Sequence, residues 1–234
     1  MIDLFAHLEL SYLALFGVAL TFIAYIAGNF IHRKLHYFPL LNSSIIAIAI
    51  IITTLNVLGI SYEEYNTGGD LFTILLFPTT TALAVPIYRQ RRLLKEHLAP
   101  ILIGTMVGAV TGLGSVYGLC RLFGYDQFLT YSIMGKSVTT PIAMEVTNLL
   151  GGEQAVVLIG VTIAGLLSSV YLPFFLKLTK LKNPVALGIA TGSSSHGYGT
   201  SVVMTINEET GAMSSIAIGI TGLFTVLFAM IFPW

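Results

Sequence analysis

Long apolar runs alternate with short polar connections along the whole chain, and each run is close to the ~20 residues that a helix needs to cross a bilayer. Eight runs can be separated: Leu10–Ile31, Pro39–Ile60, Asp70–Tyr88, Ala99–Leu122, Gln127–Gly152, Glu153–Leu176, Asn183–Asn207 and Gly211–Trp234. The pattern predicts an all-α polytopic membrane protein with seven or eight transmembrane helices. We expect one integral membrane domain over residues 1–234.

Three of these runs are interrupted by helix-breaking residues. The third contains Pro78 and Pro86, the fifth contains Pro141, and the seventh has three glycines between residues 192 and 199. Proline removes a helix hydrogen bond and glycine weakens a helix, so these runs predict broken or re-entrant elements. Irregular backbone at membrane depth is tolerated only where it is buried in protein or lines a cavity.

Composition and loop charge support this prediction and suggest an orientation. The chain is 55% hydrophobic and only 9% charged, whereas soluble proteins carry ~25% charged residues. Cations follow the first, third and sixth runs, and the positive-inside rule then places the N-terminus outside the cell membrane. The loop Lys177–Lys182 falls inside only if the fifth run is re-entrant, so we predict seven spans plus one re-entrant element. Glu208 and Glu209 would then lie outside.

A weak internal similarity adds to the picture. Residues 80–84 resemble residues 139–143, and the pattern of residues 102–117 resembles that of residues 158–171. The helices that contain the second pair run in opposite directions in the predicted topology. This arrangement is typical of an inverted repeat, as in many secondary transporters.

The fifth run holds the strongest candidate site. Lys136 lies in apolar sequence, where a charge costs ~2.5–3.5 kcal/mol unless it is partnered. Its ammonium and the hydroxyls of Ser137, Thr139 and Thr140 could donate to a carboxylate, beside the N-terminus of a half-helix that starts near the proline. Glu145 could carry a coupling proton. The alternative is an internal Lys136–Glu145 ion pair, with the hydroxyls bonded back to helix carbonyls.

The seventh run is the second candidate. We expect Ser193, Ser194 and Ser195 to bind the same solute and His196 to relay a proton. The alternative is a tightly packed helix in which His196 bonds to a carbonyl. Thr80, in the third run, could complete the site, although a simple proline kink explains that run equally well.

The sequence patterns that are typical of enzyme active sites are poorly matched by this chain. The five histidines lack metal-ligand spacing, and no phosphate-binding loop is present. The sequence also lacks a large basic face for nucleic acid. We therefore expect neither an enzyme nor a cofactor, and the predicted partners are a small carboxylate substrate, the lipid bilayer and other membrane proteins, including further copies of this chain.

The motifs from Pro39 onward resemble the LrgB/CidB family, which includes the membrane half of the plastid glycolate/glycerate transporter. The similarity is carried by residues 60–62, 68–70, 82–88, 136–144 with 151–152, and 195–200. Two places depart from the family pattern. Ser201 and the two valines after it stand where many relatives have a basic residue, and residues 77–80 differ from a frequent Gly-Pro-Ala-Thr.

The resemblance implies two functions. One is transport of small monocarboxylates such as pyruvate, glycolate or glycerate. The other is an antiholin-like role, in which the chain modulates murein hydrolase activity and lysis with a small LrgA/CidA-type membrane partner. We favour proton-coupled transport at this stage and keep the antiholin-like role as the alternative.

Overall fold

The computed structural model describes residues 2–35, 41, 43–75, 78, 81 and 84–231, apart from the side chains of residues 2–11, 86 and 169. No β-strand occurs within these ranges, and almost every described residue is helical. The chain forms two compact units, Met1–Pro78 and Thr79–Trp234. Thr80, a predicted site residue, lies outside the described residues.

The described residues of the first unit form three α-helices: α1 (Ile2–Lys34), α2 (Ser43–Leu58) and α3 (Tyr62–Ile74). Glycines let them approach closely, because a Cβ at Gly68 would lie only 2.6 Å from the Ala14 carbonyl oxygen. Helix α3 begins with a capping box: Glu64 N–H donates to the Ser61 hydroxyl, and Ser61 N–H donates to the Glu64 carboxylate. These two bonds satisfy amides that the first helical turn leaves unpaired.

The second unit carries the remaining described helices. They are α4 (Ala84–Arg89), α5 (Arg91–Glu96), α6 (Leu98–Leu122), α7 (Gln127–Met134), α8 (Thr140–Leu150), α9 (Gln154–Thr179), α10 (Pro184–Met204) and α11 (Glu208–Ile231). A short 3₁₀ turn, Gly135–Ser137, separates α7 from α8. The long helices α6, α9 and α11 all pack against the shorter α7–α8 pair and against α10.

Three described helical segments are long and apolar enough to cross a bilayer: Tyr12–Lys34 within α1, and the whole of α6 and α11. Helix α9 makes a fourth if its two parts, Gln154–Ser168 and Val170–Thr179, which meet at 47°, form one bent span. The all-helical class is confirmed, and these apolar helices identify a membrane protein. The total of seven or eight spans stays a prediction.

Candidate functional site

Helices α7 and α8 form an antiparallel hairpin, here called hairpin A (residues 127–152). A Cβ at Gly135 would lie 2.9 Å from the Ala143 carbonyl oxygen, and one at Gly152 would lie 2.6 Å from the Ser132 amide nitrogen. The Glu153 N–H donates to the Ser132 hydroxyl at 2.7 Å and ties the residues after α8 to α7. With 8 and 11 residues, both helices are too short to cross a bilayer alone. The predicted break at Pro141 is therefore a chain reversal.

Helix α10 also folds back on itself, at His196, and forms hairpin B (residues 184–204). His196 has φ 36° and ψ −138°, which is not helical. A Cβ at Gly199 would lie 2.9 Å from Thr191 Cγ2, although eight residues of straight helix would separate these positions by ~12 Å. The two arms are therefore Pro184–Ser195 and Gly197–Met204.

Contacts with α11 confirm the direction of the two arms of hairpin B. Gly188, early in the first arm, lies against Thr210, and Met204, at the end of the second arm, lies against Gly211. Both ends of α10 therefore lie at the same end of the bundle. This corrects the prediction that Glu208 and Glu209 face away from the Lys177–Lys182 loop, because a folded-back α10 does not carry the chain across the bundle.

The tips of the two hairpins meet near the middle of α6. The Cβ position of Gly108 lies 2.8 Å from Ser193 Cβ of hairpin B, and that of Gly112 lies 3.5 Å from Ser137 Cβ of hairpin A. The two glycines are 10 and 14 residues from Leu98, the first residue of α6, which is ~15–21 Å along the axis. The hairpins thus enter from opposite ends of α6 and meet about halfway along it.

A cavity of about 450 Å³ opens between the tips, and we call it the tip chamber. It is lined by Thr139, Thr140, Pro141, Val161, His196, Gly197, Tyr198 and Ser201. Two helix N-termini face it, that of α8 at Thr140 and that of the second arm of hairpin B at Gly197. Among the described residues, no acidic side chain lines it. Helix N-termini carry partial positive charge, so the chamber suits an anion.

Two buried polar atoms of the chamber residues make no hydrogen bond with the described part of the chain. They are Thr139 Oγ1 and His196 Nε2, and the whole His196 residue is only 3% exposed. His196 also contacts the backbone of Lys136, across the two tips. In the neutral tautomer that carries its proton on Nδ1, Nε2 is an acceptor.

The structure separates the predicted residues Lys136 and Glu145. Lys136 is half-buried beside Cys120 and His196, and its Cβ packs against Gly160 of α9. Glu145 is exposed on α8 and does not line the tip chamber. Within the described residues no ion pair joins the two, so the alternative of an internal Lys136–Glu145 pair is also wrong.

The three serines of the seventh run do not act as a group. Ser193 donates to the Ile189 carbonyl and Ser194 to the Ala190 carbonyl, both at 2.7 Å. Ser194 and Ser195 line a second cavity of about 340 Å³ between α9 and α10, with no charged side chain in its wall. Of the predicted polar residues that the structure describes, Thr139, Thr140 and His196 line the tip chamber. Ser137 lies close by, against α6.

Sequence reasoning missed Tyr198 and Ser201 as chamber residues. The Tyr198 ring packs over Gly165 of α9, where a Cβ would lie 2.3 Å from the ring, and it meets the His196 ring edge-on with centroids 6.1 Å apart. Gly165 is a sequence signal for this contact, because a glycine in an apolar helix often lets a neighbouring helix pack closely against it. Ser201 is one of the three residues, 201–203, that stand where the family pattern has a basic residue, and it lies in the chamber wall.

The fold and the chamber together define a helical membrane protein with two re-entrant hairpins in one unit. The model of the LrgB-like family matches residues 21–234, and the chain belongs to this family. It is 31% identical over 217 residues to the antiholin-like protein LrgB of Bacillus subtilis (strain 168), covering 93% of this chain and 94% of the relative. The antiholin-like protein LrgB of Bacillus mycoides (strain KBAB4) is 32% identical over 91% of this chain and 92% of the relative.

A further Bacillus subtilis relative, named uncharacterized protein YxaC, is 33% identical over 95% of this chain and 96% of its own length. No solved structure matches the chain. The chain is thus similar to each of these three relatives over more than nine-tenths of its own length and of the length of the relative.

Proposed function

We propose that the chain is an antiholin-like protein of the cell membrane that acts together with an LrgA/CidA-type membrane partner. The observation that carries this proposal is the name of its relatives, which align with more than nine-tenths of the chain. In this role the chain limits the pore-forming activity of its partner and so modulates murein hydrolase activity and lysis.

Co-expression with an LrgA/CidA-type protein tests this role. We expect the partner to co-purify from membranes with this chain, and cells that contain both to lyse more slowly than cells that contain the partner alone. Unchanged lysis together with no co-purification would contradict the proposal.

A second candidate function, transport of a small monocarboxylate, is favoured by the tip chamber. Two helix N-termini, each equivalent to about half a positive charge, face a cavity without an acidic wall residue. Its volume of about 450 Å³ exceeds the ~30 Å³ share of one water molecule many times, which leaves room for a solute of pyruvate or glycolate size. Thr139 Oγ1 supplies a hydroxyl donor that the protein does not use.

His196 gives a reason for proton coupling in this second function. Its Nε2 is an acceptor in the neutral ring and can donate to a carboxylate only after it has gained a proton. An anion that contacts Nε2 therefore enters together with one proton. Glu145 has no such position, because it is exposed outside the chamber, and we assign the coupling role to His196 alone.

The arrangement of unit 2 supports an inverted repeat. Helix α6 is followed by hairpin A, and α9 is followed by hairpin B, which enters from the opposite end of the bundle. Transporters with such repeats place their sites where discontinuous helices meet near the bilayer midplane. We infer that residues 98–152 and 154–204 are the two repeats, and that the tip chamber lies near the midplane.

Uptake into proteoliposomes separates the two functions. Radiolabelled pyruvate, glycolate and glycerate are offered to the purified chain, with and without an LrgA/CidA-type partner. Transport predicts uptake that falls when Thr139→Val removes the hydroxyl, whereas Glu145→Gln, outside the chamber, is the matched control with unchanged uptake. Absence of uptake with and without the partner would leave the antiholin-like function alone.

A further inference from the structure

We infer that a small anion bound in the tip chamber links hairpin A to hairpin B, so that its occupancy sets how tightly the two tips are joined. This inference rests on the anion-binding part of the proposed function. It adds a structural role for the ligand, which either transport or an antiholin-like activity could use.

The charged groups around the chamber give the first argument for a bridging anion. The N-terminus of α8 and that of the second arm of hairpin B face one cavity, and Lys136 lies beside His196 at the same tips. All three groups are positive, and the chamber wall has no carboxylate to offset them. The empty tips therefore repel each other, and a monovalent anion between them turns this repulsion into attraction.

The hydrogen bonds carry the second step. The bond from Glu153 N–H to Ser132 ties the residues after α8 to α7. Hairpin B is tied to α11 by the buried bond between the Thr200 and Ser214 hydroxyls, 2.7 Å apart. Neither bond joins one hairpin to the other, so the two tips can change their separation without loss of either bond.

Unused polar atoms carry the third step. Thr139 Oγ1 belongs to hairpin A and His196 Nε2 to hairpin B, and each is buried without a partner in the described part of the chain. One small carboxylate with two oxygens can accept from the Thr139 hydroxyl and, once Nε2 has gained a proton, from His196. The ligand is therefore a bridge, and a neutral molecule of the same shape would lack the charge that holds the two helix ends together.

Cysteine cross-linking across the chamber tests the inference. The pair Thr140→Cys and Ser201→Cys places one thiol on each hairpin in the chamber wall, in a Cys120→Ala background that removes the native thiol. We expect sodium glycolate to raise the cross-linking rate several-fold and glycolamide, its neutral analogue, to leave it unchanged. The control pair, Ser168→Cys with Ser194→Cys, lines the second cavity and should not respond to either.

Binding of radiolabelled glycolate is measured on the same samples. Binding with an unchanged cross-linking rate would overturn the bridging role and leave the anion site intact. Absence of binding would overturn both the anion site and the inference.

Hydrogen exchange on the unaltered chain tests the same inference without relying on correct folding of the cysteine variants. Glycolate should increase protection both in residues 139–142 of hairpin A and in residues 197–201 of hairpin B. Increased protection in only one hairpin would contradict a bridge.

Discussion

Replacing Gly192 with alanine tests whether the close approach of hairpin B to α11 positions the tip chamber. A Cβ at this position would lie 2.3 Å from the Ser214 carbonyl oxygen and 2.8 Å from Ala217 Cβ. Favourable contacts between carbon atoms lie at ~3.5–4.0 Å, so the two helices would have to separate by ~1 Å. The nearest atom belongs to the backbone, and a side-chain rotation cannot relieve the clash.

The expected cost of Gly192→Ala follows from this clash. Overpacking a close contact destabilises a protein by ~1–3 kcal/mol, and for a chain of this length each kcal/mol lowers the melting midpoint by ~2–4 °C. Gly192 lies four residues before His196, and a displacement of ~1 Å at a binding site can cost ~100-fold in activity. We therefore expect Gly192→Ala to lower both the thermal midpoint in detergent and the affinity for glycolate.

Gly114→Ala is the matched control for this experiment. Gly114 also lies inside a membrane-length helix, α6, but no atom approaches its Cβ position within 4 Å. Alanine favours a helix over glycine by ~1 kcal/mol, so the midpoint should stay the same or rise. If Gly192→Ala keeps both the midpoint and the glycolate affinity of the unaltered chain, the packing of hairpin B on α11 is not as described.

Two further predictions test the topology and the first unit. Single cysteines in place of Arg91, Lys180 and Glu209 should react with a membrane-impermeant maleimide from the same side of the membrane, and labelling of the Glu209 position from the other side would contradict the reversal at His196. In the capping box, hydrogen bonds from the Ser61 backbone and hydroxyl lower the pKa of Glu64. The ionised Glu64 therefore stabilises α3 fully at a pH above the pKa that Glu64 has in the unfolded chain. This stabilisation is lost as the pH falls through the lower pKa of the folded chain. Hydrogen exchange of the first turn of α3 should therefore accelerate in acid, and Glu64→Gln should remove this pH dependence; an identical acid response in both chains would rule out the cap as its source.

The reversal in the fifth run could be predicted from the sequence because local signals mark it. Pro141 fits the first turn of a helix and stops the helix before it, and the loop charges require a re-entrant element somewhere near it. The structure has the reversal at residues 135–139, between two short helices. Local chemistry and topology agree at this place, and such agreement makes a prediction strong.

The reversal in the seventh run could not be predicted in the same way. The glycines indicate a break, but the positive φ falls on His196 and not on one of the adjacent glycines. A non-glycine residue takes this conformation only when its surroundings impose it. Those surroundings include the contacts of Gly188 and Gly192 with α11, which lie far along the chain and leave no local signal.

The division of the three serines between different surfaces has a simpler reason. Successive residues of an α-helix point ~100° apart, so three adjacent serines cannot all face one cavity. Ser193 faces α6, and Ser195 faces the second cavity. A sequence shows that polar residues are near one another, but helix rotation decides which of them share a wall.

The unpartnered polar atoms of the tip chamber help to distinguish the two candidate functions. An antiholin-like role that uses only packing surfaces has no need for unpartnered polar atoms halfway along a membrane helix. Leaving such a group buried and unsatisfied costs ~1–3 kcal/mol. Five such atoms occur in the described part of the chain, and two of them, on Thr139 and His196, belong to residues that line the chamber.

A bound solute offsets this cost, so an antiholin-like role in this chain should depend on what occupies the chamber. If the role acts through the ligand, Thr139→Val should change lysis control as well as uptake, although the hydroxyl that it removes is buried. Normal lysis control in a Thr139→Val chain that no longer binds glycolate would show that the chamber serves transport alone.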